Sequence, residues 1–125
     1  MTGSLRFLVV DDDEDMRDLL GGVVEKLGHT ADMARDGVEA VEALGADTYD
    51  VMLLDLTMPR MSGEDVLRWM GDHQEWVVGL RVLVVSGRSG AHQLTAEELG
   101  VQAVLPKPFQ IQQLRDLVGN AVQAT

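Results

Sequence analysis

Residues 5–13 read LRFLVVDDD, a short apolar run that ends abruptly in three carboxylates. Such a run is typical of a strand that is buried on both faces of a parallel sheet. After it, apolar residues recur at three- and four-residue spacing from Met16 to Leu27, which predicts an amphipathic helix closed by Gly28. The stretch therefore predicts a buried strand followed by a helix, with acidic groups at the junction.

The same alternation continues along the chain. Five strands are predicted, at residues 5–10, 30–34, 51–54, 82–85 and 101–105. Helical patterns separate them: the second helix is expected to end at Gly45, the fourth (90–99) is short and weakly patterned, and 119–125 is expected to fray. Strands that alternate with helices indicate an α/β fold, a doubly wound parallel sheet with helices on both faces.

Composition narrows the possible functions. A chain of 125 residues suits one compact domain spanning 1–125, and the absence of cysteine excludes disulfides, zinc–thiolate sites and thiol catalysis. The formal charge of −11 disfavours direct nucleic-acid binding. No apolar run approaches the roughly 20 residues of a membrane span, and no secretory signal precedes the first strand. We therefore expect a cytoplasmic protein without membrane insertion.

Polar groups follow four of the predicted strands directly or nearly so. Strand one ends in Asp11 and Asp12, strand three in Asp55, strand four in Ser86, and strand five leads to Lys107. In open parallel sheets, ligands bind outside the carboxyl ends of the strands. We therefore expect these five side chains to meet at one edge of the sheet.

The chemistry of such a cluster can be read from its groups. Carboxylates brought close together repel one another, and a hard divalent cation removes the repulsion. Mg²⁺ typically takes one or two carboxylates together with phosphate oxygens, and a carboxylate can attack phosphorus to form an aspartyl phosphate. A lysine and a hydroxyl would then bind the phosphoryl oxygens.

Four separated motifs resemble the receiver domains of two-component response regulators, in order and over essentially the whole chain. They are Val9-Val10-Asp11-Asp12, Leu54-Asp55-Leu56-Thr57-Met58-Pro59, Val85-Ser86-Gly87 and Leu105-Pro106-Lys107-Pro108-Phe109. The resemblance implies a flavodoxin-like fold, a doubly wound five-stranded parallel sheet of order 2-1-3-4-5 with five helices. It also implies a cis bond between Lys107 and Pro108.

The resemblance further implies a role for each site residue. Asp55 would be the phosphoacceptor, Asp11 and Asp12 the acidic pair that holds Mg²⁺ (or Mn²⁺) together with Asp55 and the backbone carbonyl of Thr57, and Ser86 and Lys107 the groups that bind the phosphoryl oxygens. A histidine kinase or histidine phosphotransfer protein would donate the phosphoryl group, and a downstream output domain or partner would receive the signal. The protein would be a monomer or weak dimer and a signalling protein rather than an enzyme.

Two features depart from the family pattern. The position three residues before Lys107 usually carries an aromatic ring that turns inward on activation, and here it is Val104. The segment between strands four and five is also slightly short. These features and the sequence Leu-Thr-Met-Pro after Asp55 are similar to receivers of hybrid sensor kinases. Without the ring, we expect the loop 86–90 to carry the coupling, while Thr57 and Arg88 lie where receivers tune the phosphoryl lifetime.

Some of the acidic residues, and the site as a whole, also allow other interpretations. Asp13, Glu14, Asp15 and Asp18 are expected to serve the helix N-terminus rather than a metal. An EF-hand fails because its sixth loop position would be Met16 instead of glycine. A phosphohydrolase with an aspartate nucleophile needs a second aspartate where Thr57 stands, and a pseudo-receiver that only binds partners would be expected to lack one of the acidic residues or the lysine. Trp69 and Trp76 are expected to pack, and the three histidines receive no role.

Overall fold

The computed structural model describes residues 3–87 and 95–123 and shows alternating strands and helices. The strands are β1 (Arg6–Val10), β2 (Thr30–Ala34), β3 (Val51–Leu54), β4 (Arg81–Ser86) and β5 (Ala103–Pro106). The helices are α1 (Glu14–Lys26), α2 (Gly37–Ala46), α3 (Gly63–Asp72), α4 (Ala96–Leu99) and α5 (Ile111–Gln123). All strands are parallel, in the order β2-β1-β3-β4-β5. The predicted flavodoxin-like architecture is confirmed.

The central strands are buried on both faces, as their apolar sequences predict. Along β1, Phe7 and Val9 belong to a core layer shared with α1 and α5, whereas Leu8 and Val10 belong to a second layer shared with α2 and α3. This division follows from the two-residue period of a strand, which sends successive side chains to opposite faces. Helices therefore cover both faces and leave the strand ends to carry polar groups.

The helix starts are stabilised by polar side chains at their N-caps. The Asp13 carboxylate accepts a hydrogen bond from the backbone N–H of Asp15 at 2.9 Å, so its expected capping role is confirmed. Asp36, Ser62 and Thr95 cap α2, α3 and α4 in the same manner. Because these caps satisfy donors that the helix itself leaves unpaired, they fix where α1 to α4 begin.

Several predicted boundaries differ from the structure. Gly28 follows the C-cap of α1 with φ +94°, as expected for a closing glycine. Gly45, however, lies inside α2, which continues to Ala46. The fraying expected from 119 onward is wrong up to Gln123, because Ala121 and Val122 are buried against the core. The fifth strand begins at Ala103, two residues later than predicted.

The fourth helix is short, as expected: it spans Ala96–Leu99, between the N-cap Thr95 and the C-cap Gly100. The predicted start at Gly90 lies outside the described residues, as does Arg88. Trp69 and Trp76 make an edge-to-face contact with ring centroids 6.4 Å apart, which agrees with their expected packing role. Among the described residues, none of the helices combines the length and the apolar sequence that a membrane span requires.

Candidate functional site

The predicted site residues meet at the carboxyl edge of the sheet because the backbone ladder continues past the strand ends. The N–H of Asp55 donates to the carbonyl of Val10 at 3.0 Å, and the N–H of Lys107 donates to the carbonyl of Ser86 at 2.8 Å. Strand order places β1, β3, β4 and β5 side by side. The residues after these strands therefore have fixed backbone positions next to one another.

Three carboxylates form the centre of the site. Oxygens of Asp11, Asp12 and Asp55 all lie within 4.8 Å of one another. Asp11 and Asp55 are buried, with 1% and 5% of their surface exposed, while Asp12 faces solvent. The predicted acidic cluster is thus present, and one of its sides is open.

The Asp11 carboxylate is held by two neighbours. Its Oδ1 accepts the backbone N–H of Asp13 at 2.9 Å, and its Oδ2 lies 2.6 Å from Nζ of Lys107. The guanidinium of Arg17 donates to the Asp11 backbone carbonyl at 2.8 Å. These contacts fix both the backbone and the side chain of Asp11, so its carboxylate is preorganised.

Lys107 reaches the cluster from the end of β5. Its Nζ lies 3.8 Å from Oδ2 of Asp55, longer than its 2.6 Å contact with Asp11. Only 18% of its side chain is exposed, so water screens these interactions less than at an open surface. The lysine thus partly neutralises the cluster, and its closer partner is Asp11 rather than Asp55.

The electrostatic environment of Asp55 disfavours its ionised form. Burial raises the pKa of the Asp55 carboxyl above the ordinary value, the Lys107 charge lowers it, and the charges of Asp11 and Asp12 raise it further. The net pKa is raised. An incoming cation would reverse this balance, because it favours the ionised carboxylate.

Ser86 and Thr57 lie at the same edge. Ser86 ends β4 with 3% of its surface exposed, in backbone contact with Lys107. The backbone N–H of Thr57 donates to Oδ1 of Asp55 at 3.4 Å, which places this residue beside the carboxylate. The role expected for the Thr57 carbonyl stays a prediction, as do the roles of Ser86 and Lys107 toward phosphate.

The cluster fits a hard divalent cation. Its donors are carboxylate oxygens, the ligand type that Mg²⁺ prefers, and their mutual repulsion is only partly offset by Lys107. Asp11, Asp12 and Asp55 are the residues that would hold the ion, with Asp12 on the solvent side. The set is small enough to leave coordination positions for water and phosphate oxygens.

Sequence reasoning missed two supporting residues. Arg17 carries no motif signal, because a helix surface arginine is most often solvated. Gly63, the first residue of α3, lies so close to the strand end that a Cβ atom would overlap the Asp55 carbonyl oxygen. The only trace in the sequence is that the residue is a glycine, the one residue type without a Cβ atom.

The fold and the site together define a class: a doubly wound α/β domain with an acidic cluster and a lysine at the carboxyl edge of its sheet. The family model of the response regulator receiver domain matches residues 7–119. The chain belongs to this family, whose members are signalling modules of two-component systems.

Curated relatives agree with this assignment. Response regulator MprA of Mycobacterium ulcerans is 38% identical over 115 residues, an alignment that covers 89% of this chain and 47% of the relative. MprA of Mycobacterium tuberculosis (strain H37Rv) is 36% identical with the same coverage. The chain thus spans about half the length of these relatives. The likeness to receivers of hybrid sensor kinases stays a prediction.

Solved structures share the fold. A CheY-like receiver domain protein from Methanospirillum hungatei superposes with a TM-score of 0.85 at 20% identity, covering 98% of this chain and 96% of that one. TrrA from Thermotoga maritima, solved in complex with Mg²⁺–BeF, superposes with a TM-score of 0.78 at 25% identity, covering 94% of this chain and 98% of that one.

Proposed function

We propose that residues 1–125 form one receiver domain of a cytoplasmic phosphorelay, which takes a phosphoryl group onto Asp55 in a reaction that requires Mg²⁺ or Mn²⁺. The donor would be a histidine kinase or a histidine phosphotransfer protein, and an output domain or partner would read the phosphorylated state. One observation carries the proposal: a buried carboxylate lies within 4.8 Å of two others and 3.8 Å from a lysine, at the edge where α/β sheets bind ligands.

Asp55 suits the role of acceptor better than its two neighbours. Both oxygens of Asp11 are already engaged, by the Asp13 N–H and by Lys107. Asp12 is exposed, so water competes for its carboxylate. Asp55 is buried and makes weaker contacts, at 3.4 Å with the Thr57 N–H and 3.8 Å with Lys107. Its carboxylate can therefore approach a phosphorus atom with little loss of existing hydrogen bonding.

The reaction is a phosphoryl transfer between two side chains. A carboxylate oxygen of Asp55 forms a bond to phosphorus while the bond from phosphorus to the donor histidine nitrogen breaks, and that nitrogen keeps the electron pair. Lys107 and the Ser86 hydroxyl would bind the phosphoryl oxygens, since a positive charge and a donor stabilise the charge spread over them. A bound Mg²⁺ would supply further positive charge at those oxygens. The TrrA complex with Mg²⁺–BeF supports the choice of cation.

Acetyl phosphate tests the acceptor without a partner protein. With Mg²⁺ present, intact-protein mass spectrometry should detect one added phosphoryl group on the wild type and none on Asp55→Asn. Asp13→Asn is the matched control, because Asn keeps the α1 N-cap and removes one nearby carboxylate charge. This control should be phosphorylated like the wild type. Equal phosphorylation of Asp55→Asn and wild type would overturn the assignment, and no phosphorylation of wild type would favour a pseudo-receiver.

A further inference from the structure

Residues 55–62 begin with the proposed acceptor and lead to α3, and a short backbone contact joins the two ends of this segment. The N–H of Gly63 donates to the carbonyl of Leu56 at 3.0 Å, and Gly63 has no room for a Cβ atom against the Asp55 carbonyl oxygen. This segment, named here the acceptor loop, carries both Asp55 and Thr57. Its conformation therefore decides where the Thr57 carbonyl lies.

The outer part of the acceptor loop contacts the start of α2. The N–H of Gly37 donates to the carbonyl of Met61 at 3.1 Å, and a Cβ atom at Gly37 would overlap that carbonyl oxygen. The neighbouring Arg60 has φ +65°, a left-handed conformation that costs free energy for a residue with a Cβ atom. Glycine would adopt it without that cost.

A side-chain contact accounts for arginine at this position. The Nε of Arg60 donates to Oδ2 of Asp36 at 2.8 Å, and Oδ1 of the same carboxylate accepts the N–H of Glu39 at 2.9 Å. The Asp36 side chain is 5% exposed, whereas that of Arg60 is 56% exposed. The Asp36 carboxylate is thus held in a fixed position, and the exposed Arg60 side chain binds to it.

The Asp36 carboxylate stays ionised at neutral pH. Burial raises its pKa, but hydrogen bonds from the Glu39 backbone and the Arg60 guanidinium lower it, with the charges of Arg60 and Arg35 acting in the same direction. The net pKa lies below the ordinary value. A buried carboxylate costs free energy unless it is paired. The Asp36 carboxylate is therefore a fixed partner that favours one position of the exposed Arg60 side chain.

We propose that Asp36 and Arg60 are positioning residues, which hold the acceptor loop against α2 and thereby place the Thr57 carbonyl for cation binding beside Asp55. The inference rests on the proposed function, since it concerns the cation site of that reaction. It adds two residues that lie outside the acidic cluster and touch neither the cation nor the phosphoryl group.

The first test needs no metal. Arg60→Gly keeps the left-handed backbone conformation accessible and removes the whole side chain, including the guanidinium that contacts Asp36. In the metal-free protein, the amide of Gly37 should exchange with deuterium several-fold faster in this variant, because its hydrogen bond to Met61 loses support. The amide of Asp55, bonded to Val10 inside the sheet, should be unchanged. Equal exchange at Gly37 would overturn the proposal.

The second test measures the Mg²⁺ dissociation constant by calorimetry. Arg60→Gly should weaken binding several-fold, and Arg60→Lys should restore part of it by returning the charge. Arg35→Gln is the matched control, since it removes a neighbouring arginine that pairs with Glu39 on the surface, and it should bind like wild type. If Arg60 only stabilises the local fold, Arg60→Gly and wild type should have equal Mg²⁺ dissociation constants. That result would overturn the positioning role, even if the Gly37 amide exchanged faster.

The two proposals fail in different ways. Wild type that binds no Mg²⁺ would refute the metal part of the proposed function and, with it, the positioning role. Wild type that binds Mg²⁺ and is phosphorylated, together with an Arg60→Gly variant that binds equally well, would refute only the role of Asp36 and Arg60.

Discussion

Lys107 has two carboxylate partners, and the distances separate their strengths. Its Nζ lies 2.6 Å from Asp11 and 3.8 Å from Asp55. A divalent cation would use oxygens of the same two residues, so the lysine and the cation compete for the same negative charge. At the level of single residues, Lys107 therefore both preorganises the cluster and opposes cation binding.

Removing that charge should tighten cation binding while it slows phosphorylation. We expect Lys107→Met to bind Mg²⁺ roughly tenfold more tightly, because two unit charges 4 Å apart interact by ~4 kcal/mol at an effective dielectric constant of about 20 and solvent screens part of this. Phosphorylation by acetyl phosphate at saturating Mg²⁺ should be much slower. Lys26→Met, which removes a charge at the end of α1, is the control. Weaker Mg²⁺ binding by Lys107→Met would contradict the competition.

Sequence alone could predict which residues meet, but not how their side chains pair. Asp11, Asp55 and Lys107 were predicted to lie together because strand ends of a parallel sheet share one edge. The closer pairing of Lys107 with Asp11 depends on rotamers, which no sequence pattern encodes. Arg60 was missed for a different reason: its positive φ contradicts its own backbone preference and is offset by a contact with Asp36, 24 residues away.

Among the elements, β5 carries the departure from the family pattern. Val104 pairs with Val84 of β4 and is half-buried against the layer shared with α2 and α3. A valine has one side-chain torsion and no ring to swing between exposed and buried positions. A population shift requires an element that interacts differently in the two states. Because β5 carries no aromatic ring at this position, another element should couple phosphorylation to the output surface.

We expect beryllofluoride with Mg²⁺ to move the loop after β4 rather than β5. Amide chemical shifts should change most at Ser86 and Gly87 and in residues 88–90, which lie outside the described residues, and little at Val104. Val104→Tyr is the comparison variant, because it returns a ring to the position and should extend the changes to β5. Large wild-type shifts centred on Val104 and α5, with little change in the loop, would contradict this coupling.

Element boundaries show where local sequence information ends. The sequence predicts that α2 ends at Gly45, because glycine is common just past a helix C-terminus. In the structure it lies inside the helix, and a Cβ atom there would stand 3.0 Å from the Trp76 ring. The glycine is thus explained by a contact with a residue 31 positions later. Only the tertiary structure reveals that contact.

For the whole molecule, the alternation of apolar runs and helical patterns was sufficient to predict the fold class. Burial on both faces makes β1, β3 and β4 continuous apolar runs, which are visible in sequence. Strand order is harder to predict, because right-handed crossovers leave a few orders that are all compatible with the same alternation. The order 2-1-3-4-5 was predicted through the motif resemblance, and not through the physics of the individual strands.

Mg²⁺ should stabilise the entire fold even without phosphate. A ligand that binds only the native state adds RT ln(1 + [L]/Kd), which is ~2.7 kcal/mol at 100 times Kd. For a domain of this size that corresponds to an increase of roughly 10 °C in Tm. Asp12→Asn should abolish most of this increase and raise the metal-free Tm, because it relieves repulsion among the carboxylates. Thermal unfolding followed by circular dichroism, with and without Mg²⁺, measures both effects.

The pH dependence of this stabilisation follows from Asp55. Its pKa is raised by burial, and a protonated carboxyl is a poor cation ligand, so the Mg²⁺-dependent increase in Tm should fade as pH falls toward that pKa. In the metal-free protein, stability should change with pH in the opposite direction. Because the pKa of Asp55 is higher in the folded than in the unfolded state, this carboxyl stabilises the fold at low pH, and the stabilisation is lost as pH rises through the folded-state pKa. Asp18→Asn, an exposed charge on α1, should retain the wild-type Mg²⁺ response. A wild-type Tm that is independent of Mg²⁺ at neutral pH would count against the metal site.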